Sequence, residues 1–119
     1  MANKRSLLLY LEDILESIRN IENYVNDITE QEFITNQEIQ DAVIRRTEII
    51  GEAVKKIPEN IRSKYAEVPW RQNSGMRDVV IHEYFGVSST LIYKTATSEL
   101  SLLKETIIEL IEKEAGETN

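Results

Sequence analysis

From Leu7 to Ile28 the apolar residues fall at Leu7, Leu11, Ile14, Ile18, Ile21, Val25 and Ile28, in steps that alternate four and three. Only a helix of about 3.6 residues per turn brings such positions onto one face. Glu12, Asp13, Glu16, Arg19 and Glu22 fall between them, and Leu8 and Leu15 widen the stripe. A helix over residues 4–28 with so regular an apolar face is stable in water only against several partner helices.

The rest of the chain supplies those partners. Asn36 is a good N-cap, and Glu38 and Asp41 follow where the helix dipole favours acids. The second helix carries Ile39, Val43, Ile50, Ala53, Val54 and Ile57, is interrupted at Arg46 and Thr47, and holds Gly51 inside it. Pro58 ends it, because the residue before a proline avoids the α region. Glu59 to Tyr65 reads as a short helical turn, and Pro69 suits the first turn of a further helix. Gln72-Asn73-Ser74-Gly75 is a break, after which Met76, Val79, Val80 and Tyr84 resume a helical pattern that Gly86 closes. Ser88 or Ser89 caps a helix over 91–96. Thr97 or Ser98 caps the last helix, with its stripe Leu100, Leu103, Ile107, Leu110 and Ile111, and residues 114–119 form a frayed tail. No segment alternates with period two, and 4 Gly and 2 Pro are too few for an all-β chain with its frequent turns. The expected architecture is all-α: one domain over 1–119, an antiparallel bundle of four to five helices.

Composition narrows the chemistry. The absence of cysteine excludes a thiol nucleophile, a disulfide scaffold and a thiolate zinc site. The longest apolar runs are three or four residues, against about 20 for a membrane span. The N-terminus is polar rather than a signal segment, so a cytoplasmic protein is expected. The net charge of −7 disfavours non-specific nucleic-acid binding, but it is uneven. Residues 43–77 hold eight bases and four acids, a local +4 on flanks that together carry −11. Lys55, Lys56, Arg62 and Lys64 belong to that stretch and suit either a rim facing an anion or an ordinary surface.

The single histidine, His82, stands beside Arg77, Asp78 and Tyr84. Asp78 and His82 are four apart and meet across one helical turn, where the carboxylate fixes the imidazole tautomer and raises its basicity. Arg77 and Tyr84 share a face, whereas Arg77 and His82 lie about 140° apart on an ideal helix. A two-fold dimer that brings two such helices together would unite them. Guanidinium recognises phosphate, and imidazole moves protons near neutral pH. Together they suit metal-independent RNA cleavage, with His82 as general base or acid and Arg77 neutralising the phosphorane. Trp70 suits a core or interface anchor better than a base-stacking platform, and Glu52 is expected to face the bundle.

Arg77-Asp78-Val79-Val80-Ile81-His82-Glu83-Tyr84 resembles the Arg-x4-His-x-Tyr motif of the HEPN domains. Ile50-Gly51-Glu52-Ala53, Val68-Pro69-Trp70, Gly75-Met76-Arg77 and His82-Glu83-Tyr84-Phe85-Gly86 extend the resemblance to the HepT-like branch, from about Leu8 to Ile111. The polar Gln72-Asn73-Ser74 departs from the usual apolar stretch before Gly-Met-Arg. The resemblance implies a dimeric helical bundle acting as the ribonuclease toxin of a toxin–antitoxin pair. Its partner would be a minimal nucleotidyltransferase antitoxin, within a homodimer or a larger hetero-oligomer, with RNA as substrate and no cofactor, metal or membrane. By position, Arg77 and His82 are the catalytic pair, Asp78 supports them, and Tyr84 is the acceptor of AMP. The alternative is a non-catalytic helical partner that serves only as the nucleotidyltransferase's AMP-acceptor substrate.

Overall fold

Helix α1 spans Lys4–Val25, and the stripe read from the sequence is its buried face. Leu11, Ile14, Ile18 and Ile21 are fully enclosed, with Leu7 and Val25 nearly so. At about 1.5 Å per residue its 22 residues run roughly 33 Å. The helix stops three residues before Ile28 because Asp27 takes φ 56°, a left-handed conformation that a short polar side chain tolerates better than most. Ile28, beyond the turn, still packs against the core. The computed structural model describes residues 4–70 and 89–117.

A five-residue helix that the apolar pattern does not announce follows, α2 over Glu30–Ile34. Its basis is a capping box. Thr29 Oγ1 accepts from Glu32 N at 3.1 Å, and Glu32 Oε1 accepts from Thr29 N at 2.9 Å. The helix carries one fully buried residue, Phe33. Asn36 then caps α3 as expected, its Oδ1 accepting from Ile39 N at 3.1 Å. α3 spans Gln37–Val54 and packs along α1 through Val43, Ile50, Ala53 and Val54. Turns at residues 55–57, rather than helix, carry the chain to the buried Ile57. Pro58 sits at the N-cap of α4, Glu59–Lys64, where its missing N–H costs nothing.

On the far side of 71–88, α5 spans Ser89–Lys94 and passes into a π-helical turn, Thr95–Glu99, before α6, Ser101–Glu117. Thr97 and Ser98 do not cap the last helix, contrary to expectation. They lie inside the π turn, their hydroxyls donating back to Tyr93 O and Lys94 O at 2.8 Å each. Such back-bonding loosens α winding. The spacing of the apolar residues explains the wider coil. Ile92, Ala96 and Leu100 are four apart twice over, and on an ideal α-helix each such step overshoots one turn by about 40°. Wider winding keeps all three in the core, where each is buried. α6 buries Leu100's successors Leu103, Ile107 and Leu110 and stays helical to Glu117, through residues expected to fray.

The long helices α1, α3 and α6 form one bundle, with α1 in contact with both others. The C-terminal part of α1 meets the start of α6 at an ion pair, Lys104 Nζ to both Glu22 carboxylate oxygens at 2.9 and 3.0 Å. The fold is the expected all-α bundle, with no strand among the described residues. Among them, no helix is long and apolar enough to cross a membrane.

Candidate functional site

Arg77, Asp78, His82 and Tyr84 all lie within residues 71–88, outside the described residues. The structure positions the two ends of that stretch and the surfaces beside them.

The near end is Trp70. Its ring is buried, with only 7% of the residue exposed, and its Nε1 donates to Tyr65 O at 3.0 Å and to Arg62 O at 3.1 Å. Pro69 before it and Val68, itself buried, are drawn in by main-chain bonds from Val68 N to Tyr65 O and from Trp70 N to Val68 O. Trp70 is therefore a core anchor, and its faces are not open for a base to stack on. Beside it lies a hollow of about 440 Å³ bounded by Glu59, Arg62, Ser63, Ala66 and Trp70. The Arg62 guanidinium reaches into this region but is paired with Glu59 at 3.1 Å, while its buried Nε has no partner.

The far end is Ser89. Its hydroxyl donates at 3.3 Å to Gln40 Oε1. Gln40, on α3, is buried and turns its Nε2 to two carbonyls, Phe33 O at 3.0 Å and Ile34 O at 2.9 Å. Four residues after Ser89 in α5, Tyr93 leans on Phe33 with ring centroids 5.4 Å apart and donates its hydroxyl to Ile28 O at 3.3 Å. Nothing in the apolar pattern singles out Gln40. The available signal was a glutamine on the buried side of α3, one residue from Ile39 and three from Val43.

The basic stretch is less positive on the surface than in the sequence. Lys55 has Glu52 at 4.0 Å, and Arg62 has Glu59. Glu52 does not face the bundle as expected. It is exposed, with its side chain about half accessible on the outer side of α3. It lines a groove of about 390 Å³ between α1 and α3, together with Tyr10, Asp13, Arg45, Glu48 and Lys56. Two bases among three acids do not attract phosphate there. Exposed Lys64 remains as a candidate for an anion-facing rim. Beside Lys64, Lys113 donates to the Tyr65 hydroxyl at 2.9 Å and lies over its ring. The Tyr65 hydroxyl first, then its charge and that of Glu109, raise the Lys113 ammonium above the ordinary lysine value of 10.5.

Comparison with known proteins places these elements in a wider frame. The pattern of a family described as Ribonuclease HepT-like matches residues 14–110, which takes in α1 from Ile14, the whole of 71–88 and most of α6. A "Gamma-glutamylcyclotransferase and putative RNase" of Methanocaldococcus jannaschii is 44% identical over 110 residues, covering 92% of this chain and 50% of that protein. A "Probable ribonuclease HepT" of Thermococcus cleftensis is 45% identical over 101 residues, covering 85% of this chain and 92% of that one. The chain thus spans half the length of the first relative and nearly all of the second. No solved structure matches it.

Proposed function

Because the chain belongs to the HepT-like ribonuclease family of the HEPN superfamily, we propose that it is a metal-independent endoribonuclease whose site is built on Arg77 and His82. The observation that carries this reading is the position of Arg77-x4-His82-x-Tyr84 inside a family match that runs from residue 14 to residue 110.

The chemistry follows from the side chains. His82 takes the proton of a ribose 2′-OH, whose oxygen attacks the adjacent phosphorus. The bond from O2′ to phosphorus forms as the bond to O5′ breaks, and the departing O5′ takes a proton from an imidazolium. One histidine per chain cannot hold both protonation states at once, so a two-fold dimer supplies the second as His82 of the partner subunit. Arg77 neutralises the charge that gathers on the phosphorane oxygens. Asp78, one turn before His82, holds the imidazole tautomer.

In this reading the protein is a cytoplasmic toxin of a toxin–antitoxin pair, held in check by a nucleotidyltransferase. AMP on Tyr84 would place a phosphate beside Arg77 and bar the substrate's own phosphate by charge and bulk. The test is cleavage of RNA in EDTA by the wild type, Arg77→Ala and His82→Ala. Each variant is expected to lose at least about a hundredfold in rate, in line with loss of a general base or a charge-stabilising donor. Equal rates in all three would end the proposal. Intact mass after co-expression with the nucleotidyltransferase tests the second part: increments of one AMP appear on the wild type and vanish in Tyr84→Phe.

A further inference from the structure

Trp70 and Ser89 are the described residues on either side of 71–88, and a similar device stands at each. At each, one buried side-chain N–H group serves two main-chain carbonyls at the C-terminal end of a short helix. Trp70 Nε1 closes the end of α4 through Arg62 O and Tyr65 O. Gln40 Nε2 closes the end of α2 through Phe33 O and Ile34 O. Three of those carbonyls also accept a main-chain N–H, Arg62 O from Tyr65 N, Tyr65 O from Val68 N and Phe33 O from Asn36 N, so each clamp uses a second lone pair to reinforce a helix-end turn that already has its own main-chain bonds. Gln40 then uses its remaining oxygen to accept from Ser89, the first residue of α5. One amide thereby ties α2, α3 and α5 together.

Neither device is needed to fill space. A methionine would occupy the place of Gln40, and a phenylalanine most of that of Trp70. What the polar atoms add is a fixed position for the chain at both exits, since a fully satisfied buried network admits one arrangement. Helices of five and six residues do not persist alone in water, so the clamps and these helices hold or loosen together.

We propose that Gln40 and Trp70 are positioning residues for the ribonuclease reaction, fixing the chain at the two residues that flank the segment bearing Arg77 and His82. The proposal rests on the reading of Arg77 and His82 given above. In-line attack on phosphorus is sensitive to misplacement, and a shift of about 1 Å from a remote substitution costs on the order of a hundredfold in rate.

The test uses Gln40→Met, Trp70→Phe, Ser89→Ala and Ser89→Thr in the full chain, with steady-state cleavage of an oligoribonucleotide well below each melting temperature. Gln40→Met and Trp70→Phe are expected to lower kcat about tenfold or more with KM within about twofold of wild type, because the reacting groups are displaced while the binding surface is kept. Ser89→Ala falls in the same direction by less, and Ser89→Thr, which keeps the hydroxyl, restores the wild-type rate. Wild-type kcat in both folded Gln40→Met and Trp70→Phe overturns the proposal. Amide exchange across Ser89–Lys94 is measured in parallel. If His82→Ala cleaves as well as wild type, the reading of the site has failed and exchange decides the clamp alone. Faster exchange in Gln40→Met, with α6 unchanged, upholds the clamp, and unchanged exchange overturns it.

Discussion

Ser17→Ala is expected to stabilise this protein, although it removes a buried polar group. Ser17 sits on α1 among Ile14, Ile18 and Ile21, 1% exposed, and its hydroxyl has no hydrogen-bond partner. An unpartnered hydroxyl taken from water costs about 1–3 kcal/mol. Alanine is also the better helix former by up to about 0.5 kcal/mol. Against these stands the void of one oxygen atom, a few tenths of a kcal/mol at about 24 cal/mol per Å³. The net gain is about 1–2 kcal/mol, which for a domain of this size raises the melting temperature by roughly 4–8 °C. Thr47→Val is the matching control, since Thr47 is equally buried but donates to Ile44 O at 2.7 Å. Its loss lowers stability by about 1 kcal/mol. Circular dichroism at 222 nm during heating and in urea reads both variants. A Ser17→Ala protein that melts below wild type would refute the reasoning, because it would reveal a partner for the hydroxyl.

Thr29→Ala removes the capping-box bond that Thr29 Oγ1 accepts from Glu32 N, keeps the Thr29 N–H that Glu32 Oε1 accepts, and is expected to cost about 1 kcal/mol in urea unfolding, whereas Thr29→Asp retains most of it. Lys113 is expected to titrate above 10.5 and to move back toward it in Tyr65→Phe, read by NMR of the lysine side-chain carbons. A pKa raised on folding contributes stability in full below 10.5 and loses it as pH climbs through the folded value. The advantage of wild type over Tyr65→Phe therefore shrinks above pH 10.5.

The long helices were legible because each states its face several times over. Leu11, Ile14, Ile18 and Ile21 repeat one phase, and all four are enclosed. Asn36 was legible because capping is local chemistry. α2 was overlooked because one buried residue, Phe33, makes no period, although Thr29 and Glu32 at capping-box spacing did mark its start. Glu52 was misplaced because the neighbouring Gly51 and Ala53 are buried and it alone in that step is not. Thr97 and Ser98 carry the chemistry of caps, but the same hydroxyls reach back four residues as readily as forward. Gln40 could be marked as buried from its place on α3, but not its role, because its partners are seven, six and forty-nine residues away. As for the candidate site, Arg77 and His82 lie outside the described residues, while Trp70 was read correctly as an anchor from its place after Pro69.

The coil at Thr95–Glu99 makes the chain intolerant of a missing residue there. Deleting one would turn everything that follows by about 100° and draw it back about 1.5 Å along the axis. Leu103, Ile107 and Leu110 would swing out toward water, and their acidic neighbours would be carried toward α1. Lys104 would also leave Glu22. The number of residues between Ile92 and Leu103 is thus as strict a requirement of this bundle as their identity, and five hydroxyl-rich positions that look like a permissive loop act as its phase setting.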